Sequence, residues 1–278
     1  MPAATTHVEF AKDVFVELPK DTQQAIDNFP MYYLGSQGPD IFFFSKGVVL
    51  PGTLYSLGQK MHDEKIQEVI SYLQDYTKEH PSLYPYYAGY ICHYALDRVV
   101  HPLVNYYAKV SAMKDSEAHF QYEGDIDVYT LNKKQHGYDV YDRIRLTKQD
   151  AKALSQMYHY LFLAVYQLNV KESAIQEAIV HMPVLTKWLR PGKKWKYNLV
   201  SRIENRIGKR FVSAMMLDEK DPVNSPVFNK NHEVWMNLDK EDTRSFEDLY
   251  QLAIQEASLL LTNFNLDQVN LDFIGKPL

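Results

Sequence analysis

The chain has 278 residues, a formal net charge of -5 and a sequence pI near 6.1. With 46% hydrophobic residues it can bury a globular core, and its acidic balance excludes a whole-protein attraction to nucleic acid. The single cysteine, Cys92, excludes an internal disulfide and is expected to be a small apolar core group. The N-terminal sequence lacks the pattern of a signal peptide, and no apolar run is long enough to span a membrane, so we expect a cytoplasmic protein.

The first predicted helix begins near Thr6, an N-cap candidate with a glutamate three residues later, as in a capping box. His7 therefore lies at the start of this helix, ahead of the apolar pattern VEFAKDVFVEL. A second short helix is predicted over residues 21–29 and is closed by Pro30. In GSQGPDIFFF, glycine and proline disfavour a regular helix and hold Asp40 in a tight loop.

Two longer helices are predicted next, separated by Pro81. The first starts near Leu54, carries His62 and continues through EKIQEVISYLQDYTKEH. The second, within SLYPYYAGYICHYALDRVV, is apolar on nearly every side, which is typical of a buried helix. It is predicted to bend or end at His101, because Pro102 disfavours helical geometry in the residue before it.

The segment SEAHFQYEGDIDVY predicts a further helix that ends near Gly124. Asp125 and Asp127 follow, either as surface charges, which is the default interpretation, or as acceptors for imidazole N–H groups. The stretch VYTLN, residues 128–132, is interpreted as part of a minor hairpin. The basic stretch RPGKKWKYN, residues 190–198, is expected to be a solvated loop, with contact to a phosphate or an anionic membrane surface as the alternative.

From residue 146 onward the chain carries amphipathic segments, with apolar residues three and four positions apart and few candidate ligands. The predicted helices are DAKALSQMYHYLFLAVYQL, ESAIQEAIVHM, LVSRIENRIGKRFVSAMML and SFEDLYQLAIQEASLLLTNF. We therefore expect an all-α protein. Its catalytic domain is expected over residues 1–145, with a helical extension over residues 146–278 packed on it, or the two form one continuous domain.

Residue types that bind transition metals recur at helical spacing in the middle of the chain. Residues four positions apart lie one turn apart on the same helix face. One such row consists of His93, Asp97 and His101, and a second consists of His119 and Glu123. Imidazole nitrogen and carboxylate oxygen are the ligands that zinc accepts when no thiolate is offered. The spacing therefore predicts a multinuclear zinc hydrolase.

Several short pieces occur in a fixed order: TTHVEFA, GPD, QKMHD with His62, GYICHYALDRVVHP and HFQYE. In that order they resemble the zinc-dependent phospholipase C family, whose fold is related to that of the P1-type nucleases. The resemblance covers residues 1 to about 130. Glu123, where the nuclease branch has Asp, favours the phospholipase branch.

The resemblance implies zinc ions at the bottom of a cleft in a mainly helical domain, and we expect two to three ions here. The implied ligands are Asp40, His62, His93 and Asp97 for the first zinc, His101, His119 and Glu123 for the second, and His7 with a bridging Asp97 for the third. Asp40 is also implied to be the general base that takes a proton from the water attacking a phosphodiester.

Secreted members of the family complete the third site with the amino group and carbonyl of an N-terminal tryptophan, which this chain lacks. We predict that Pro2, exposed by removal of Met1, supplies the amine instead. Mass spectrometry that finds Met1 retained would contradict this.

The expected function is that of a zinc-dependent phosphodiesterase with phospholipase C-like activity, acting on a phosphodiester such as a phospholipid headgroup. One alternative is a nuclease, a nucleotidase or a small-molecule phosphodiesterase on the same fold. The other is a metal-stabilised binding protein without catalysis. No stable nucleic-acid complex is expected, and the oligomeric state is left open.

Overall fold

The structure is a computed structural model that describes residues 4–48, 53–134, 139–189, 194–207, 216 and 224–278. The helices of the first half are α1 (Ala4–Glu17), α2 (Lys20–Ala25), α3 (Phe29–Gly35), α4 (Thr53–Asp63), α5 (Ile66–Glu79), α6 (Tyr84–Val110) and α7 (Asp115–Lys134). Those of the second half are α8 (Val140–Arg143), α9 (Lys148–Tyr166), α10 (Glu172–Leu189), α11 (Lys194–Ile207) and α12 (Phe246–Thr262). The prediction of an all-α fold is confirmed.

Short elements connect these helices. A 3-10 segment (Gly38–Val48) follows α3, and a 3-10 turn (Pro81–Leu83) precedes α6. Two further 3-10 turns precede β1 (Pro226–Phe228) and follow α12 (Leu266–Gln268). Strands β1 (Trp235–Asn237) and β2 (Lys240–Asp242) pair antiparallel, with Trp235 opposite Asp242. Every helix within the described ranges is too short or too polar to cross a membrane.

Helix α6 is the central element, and it is buried along most of its length. Helices α1, α3, α7 and α12 pack around it. Glycines make the crossing of α3 and α6 close, because a Cβ on Gly35 would lie 2.2 Å from the carbonyl oxygen of Tyr86, and one on Gly89 would lie 2.0 Å from that of Tyr32. This close approach sets the residues that follow α3 against the middle of α6, where His93 lies.

Three predictions about the first helices are wrong. Helix α1 already includes residues 4 and 5, so Thr6 is not its N-cap. Pro30 lies in the first turn of α3 and does not close α2. Proline has no N–H group, and the N–H groups of the first turn have no acceptor within the helix, so proline is tolerated there. The Asn28 side chain caps this turn. Asp40 lies in the 3-10 segment rather than in a tight loop. The predicted amine of Pro2 lies outside the described residues.

The predicted continuous helix from Leu54 to the residue before Pro81 is also wrong, because it is two helices. The chain breaks between α4 and α5, where Lys65 has a left-handed φ of 58°. Helix α6 does not end at His101 but continues through Pro102 to Val110.

Helix α7 passes Gly124 and includes the stretch VYTLN, so the predicted helix end and hairpin are both wrong. An isolated glycine inside a helix costs about 1 kcal/mol, which tertiary packing readily offsets. The stretch predicted as a basic loop is helical from Lys194 onward.

The two halves of the sequence share one interior. Each of the two clusters of buried apolar residues among the described residues includes residues from both halves, and α12 packs directly against α6. Tyr94 of α6 donates a hydrogen bond to the carbonyl of Leu271. The boundary at residue 145 stays a prediction.

Candidate metal centre

Eight buried or half-buried imidazole and carboxylate side chains converge on one face of α6. Helix α6 carries His93, Asp97 and His101, and α7 carries His119 and Glu123. The other three are His7 on α1, Asp40 on the 3-10 segment and His62 on α4. All eight are the residues that the sequence singled out, and they are close in space although they span 117 positions from 7 to 123.

The donor atoms fall into three groups, and within each group they lie within 4.8 Å of one another. The groups are His7, His93 and Asp97; Asp40, His62 and His93; and His101, His119 and Glu123. His93 belongs to two of them. The first two groups are therefore continuous with each other, whereas the third shares no residue with them.

Asp97 contacts three of the histidines through its two carboxylate oxygens. Its Oδ1 lies 3.2 Å from Nε2 of His7, and its Oδ2 lies 3.3 Å from Nε2 of His93. Oδ2 also lies 3.6 Å from Nδ1 of His101. His7 and His93 belong to the same group as Asp97, and the contact with His101 connects that group with the third.

The other carboxylates have similar surroundings. Oδ1 of Asp40 is 3.2 Å from Nε2 of His62. Oε1 of Glu123 is 3.2 Å from Nε2 of His101 and 3.0 Å from Nε2 of His119. A cavity of about 20 Å³, lined by His7, Asp97, His101 and Glu123 among others, separates the first and third groups. That volume is close to what one water molecule occupies.

Carbonyl oxygens determine which imidazole nitrogen carries the proton. The Nδ1 atoms of four histidines face such an acceptor: Gly58 for His62 at 2.7 Å, Ser36 for His93 at 3.1 Å, Phe273 for His101 at 2.9 Å, and the Asn105 side chain for His119 at 3.0 Å. Nδ1–H donates in each case, so the Nε2 lone pair of a neutral ring points at a carboxylate. Two lone pairs facing each other are repulsive unless a proton or a cation lies between them.

The donor set fits zinc. Two atoms bound to one tetrahedral zinc at about 2.0–2.2 Å are separated by roughly 3.3–3.6 Å, and the nitrogen–oxygen distances above are near that range. Among the described residues, Nε2 of His93 and Nδ1 of His7 are buried and have no hydrogen-bond partner. A buried polar atom without a partner is costly, and a cation bound between His93 and Asp97 would satisfy Nε2 of His93.

Burial and charge act in opposite directions on these groups. Burial lowers the pKa of His93 to about 3, so its ring is neutral, which is the form that binds metals. Burial disfavours the charged form of His101 as well, but Asp97 and Glu123 outweigh it and raise its pKa to about 9. Burial would raise the pKa of Asp97, yet the surrounding histidines hold it far below its usual range.

Helix α1 is held in place by a carboxylate from α7. Asp127, fully buried, accepts hydrogen bonds from the backbone N–H groups of Thr5 and Thr6 and from the Thr6 hydroxyl, at 3.2, 2.8 and 2.7 Å. First-turn N–H groups have no intrahelical partner, so Asp127 caps α1 from outside the helix and positions His7. Asp127 is therefore neither a surface charge nor, in this geometry, an imidazole acceptor.

Removing the Thr6 hydroxyl is expected to destabilise the fold. The substitution Thr6→Val leaves one lone pair of a buried carboxylate without a donor, which costs about 1–3 kcal/mol in the free energy of unfolding. Urea denaturation measures it. The matched control is Thr262→Val, which removes an exposed hydroxyl bonded within its own helix, and it should change stability much less. Equal effects for both variants would contradict the role given to Asp127.

The C-terminal segment reaches the centre, which the sequence did not predict. The Phe273 ring packs against the rings of His62 and His93, with centroids 5.0 and 5.5 Å away. Its backbone N–H donates to the carbonyl of His62 at 3.3 Å, and its carbonyl accepts from His101. No local pattern in NLDFIGKPL points to this role, since a carbonyl acceptor is available from any residue type.

The helical fold and the clustered imidazoles and carboxylates identify the protein as a candidate multinuclear metalloprotein. The model of the family described as zinc-dependent phospholipase C matches residues 6–169, which is more than half of the chain. The chain belongs to this family, which confirms the resemblance seen in the sequence and places the protein among zinc hydrolases. No curated protein and no solved structure matches the chain.

Proposed function

We propose that the protein is a zinc-dependent phosphodiester hydrolase that cleaves phospholipid-type substrates in the manner of a phospholipase C. Family membership supports the zinc and the phospholipid-type substrate. The observation that carries the proposal is the set of three neighbouring donor groups, of which two share His93 and the third contacts Asp97 through His101. These groups would hold two to three zinc ions.

The residues of each group have distinct tasks in this proposal. His7 and Asp97 would hold one ion, Asp40 and His62 would hold a second, and His101, His119 and Glu123 would hold the third. His93 has one free ring nitrogen, Nε2, and would complete one of the first two sites. When bound, zinc supplies positive charge for the phosphate and lowers the pKa of water. The carbonyls of Gly58, Ser36 and Phe273 keep Nδ1 protonated and Nε2 free to bind.

Asp40 is the proposed general base. Among the three carboxylates of the centre its side chain is the most exposed, at 11% compared with 7% for Asp97 and 4% for Glu123. Water therefore reaches Asp40 more easily than the other two. Its carboxylate would accept the proton of the attacking water, and the pKa of Asp40 is lowered despite its burial, so the group is ionised and able to accept a proton.

Substrate profiling of the zinc-loaded protein tests the function. We expect release of phosphocholine from phosphatidylcholine, loss of that release after chelation, and its return on adding zinc. Cleavage of single-stranded DNA in place of lipid would identify a nuclease, and cleavage of bis(p-nitrophenyl) phosphate alone would identify a small-molecule phosphodiesterase. Zinc binding without any turnover would identify a metal-stabilised binding protein.

Zinc binding is expected to release protons and to strengthen as the pH rises. The pKa of His101 is raised to about 9, so its ring is charged at pH 7 and must lose a proton to bind zinc. The apparent affinity should therefore increase from pH 6 towards pH 9 and level off above it. Calorimetry in two buffers with different ionisation enthalpies measures the released protons. Zero release at pH 7 would contradict the assignment of His101.

A further inference from the structure

Helices α10 and α11 each present an apolar row to solvent. Within each row the residues are four positions apart, so they lie on one helix face. Their exposed fractions range from 46% to 62%. The rows are Val180, Val184 and Trp188 on α10, and Trp195, Leu199 and Ile203 on α11.

The polarity of α11 differs from that of an ordinary surface helix, although Val200 packs against the core. Its buried positions include Ser201 and Glu204, whereas Trp195, Leu199 and Ile203 face outward. A helix at the surface of a globular protein normally turns its apolar stripe toward the core. The outward apolar face of α11 therefore fits an apolar environment outside the described fold.

The sequence around these two helices is rich in positive charge, although the protein is acidic. Residues 187–210 contain nine lysine and arginine residues and one acidic residue, Glu204, while the whole chain has a net charge of -5. Arg202 and Arg206 are exposed beside the apolar row of α11. Nζ of Lys196 lies 4.3 Å from the centroid of the Trp188 ring, so a cation–π contact connects the end of α10 with the start of α11.

Exposed tryptophan and aliphatic side chains flanked by lysine and arginine are the features of helices that lie in the plane of a membrane interface. We propose that the outward face of α10 and α11 is a docking surface for an anionic lipid bilayer. Charge favours this partner over a second copy of the chain, because self-association would bring two basic surfaces together. Nucleic acid would match the charge but leave both apolar rows in water.

The docking surface is separate from the proposed metal centre, but α10 contacts an element of that centre. The opposite side of α10 packs on the 3-10 segment that carries Asp40. Binding to a bilayer does not require hydrolysis, so the inference does not depend on the proposed function. The wild type and the Asp40→Asn variant should bind vesicles alike.

Co-sedimentation with vesicles tests the inference, with the full-length zinc-loaded protein. We expect binding to vesicles of phosphatidylcholine with phosphatidylserine, much weaker binding to pure phosphatidylcholine, and a blue shift of tryptophan emission that Trp195→Phe reduces. The double variant Arg202→Gln/Arg206→Gln should bind roughly 30-fold more weakly, since each basic residue near an anionic surface contributes about fivefold. Leu199→Ser/Ile203→Ser should also lose binding.

Matched controls are Val16→Ser and Val234→Ser, which remove exposed valines elsewhere and should bind as the wild type does. Absence of vesicle binding, equal binding to neutral vesicles, or unchanged binding by both double variants would overturn the inference. So would unchanged tryptophan emission, or a dimer in light scattering that Leu199→Ser/Ile203→Ser abolishes. Binding to single-stranded DNA but not to vesicles would replace the lipid surface with nucleic acid.

Discussion

The Asp97→Asn variant is expected to bind less zinc and to lose activity by more than ~100-fold, because losing even an outer partner of a metal ligand costs about 10–100-fold. Asp97 contacts three histidines through two oxygens, at 3.2, 3.3 and 3.6 Å. An asparagine keeps the size of the side chain but offers one neutral acceptor oxygen. Both the bridge and the negative charge that balances zinc are then lost.

Elemental analysis and phosphatidylcholine turnover measure the two effects of Asp97→Asn. The matched control is Asp75→Asn, the same change at an exposed carboxylate that pairs with Lys78 on α5. It should keep full zinc content and activity. An Asp97→Asn protein with wild-type zinc content and turnover would show that Asp97 does not bridge the groups.

The Gly275→Ala variant is expected to weaken zinc binding by about 10–100-fold although all proposed ligands remain. Gly275 has a φ of +80°, and an added Cβ would lie 2.6 Å from Cγ of Pro102 and 2.9 Å from the carbonyl oxygen of Arg98. The C-terminal segment must shift to relieve these contacts. Phe273 would then lose the position from which its carbonyl fixes the tautomer of His101.

Competition with a chromophoric chelator measures the zinc affinity of Gly275→Ala. Lys276→Ala is the control, since this side chain is exposed and the backbone N–H that binds Asp272 remains. Phe273→Leu separates the two contacts, because it removes the ring and keeps the carbonyl, and it should weaken zinc binding less. A lower melting temperature with unchanged zinc affinity would mean that the segment stabilises the fold without positioning His101.

The sequence predicts the helices well because their apolar residues recur with a strong period, as in α6 and α9. The errors lie where a local signal has two meanings or is absent. Pro30 is compatible with the end of one helix and the start of another, and the structure has the second. Lys65 separates α4 from α5 by adopting a left-handed conformation, and no nearby glycine or proline in the sequence indicates this break.

The candidate centre was partly predictable for the same reason. His93, Asp97 and His101 share a face because four-residue spacing fixes it, and the structure brings the other five residues to that face. Contacts over long sequence separations leave no periodic signal. Asp127 meets Thr6 across 121 positions, and Phe273 meets His101 across 172. The role of the eight residues as ligands stays a prediction.

The metal content of the purified protein tests the central claim most directly. Elemental analysis after zinc reconstitution and removal of loosely bound metal should find two to three zinc ions per chain. The variant His119→Ala should reduce that number by about one, since it removes a donor from one of the three groups. A zinc content of one or less per chain after reconstitution would contradict a multinuclear centre.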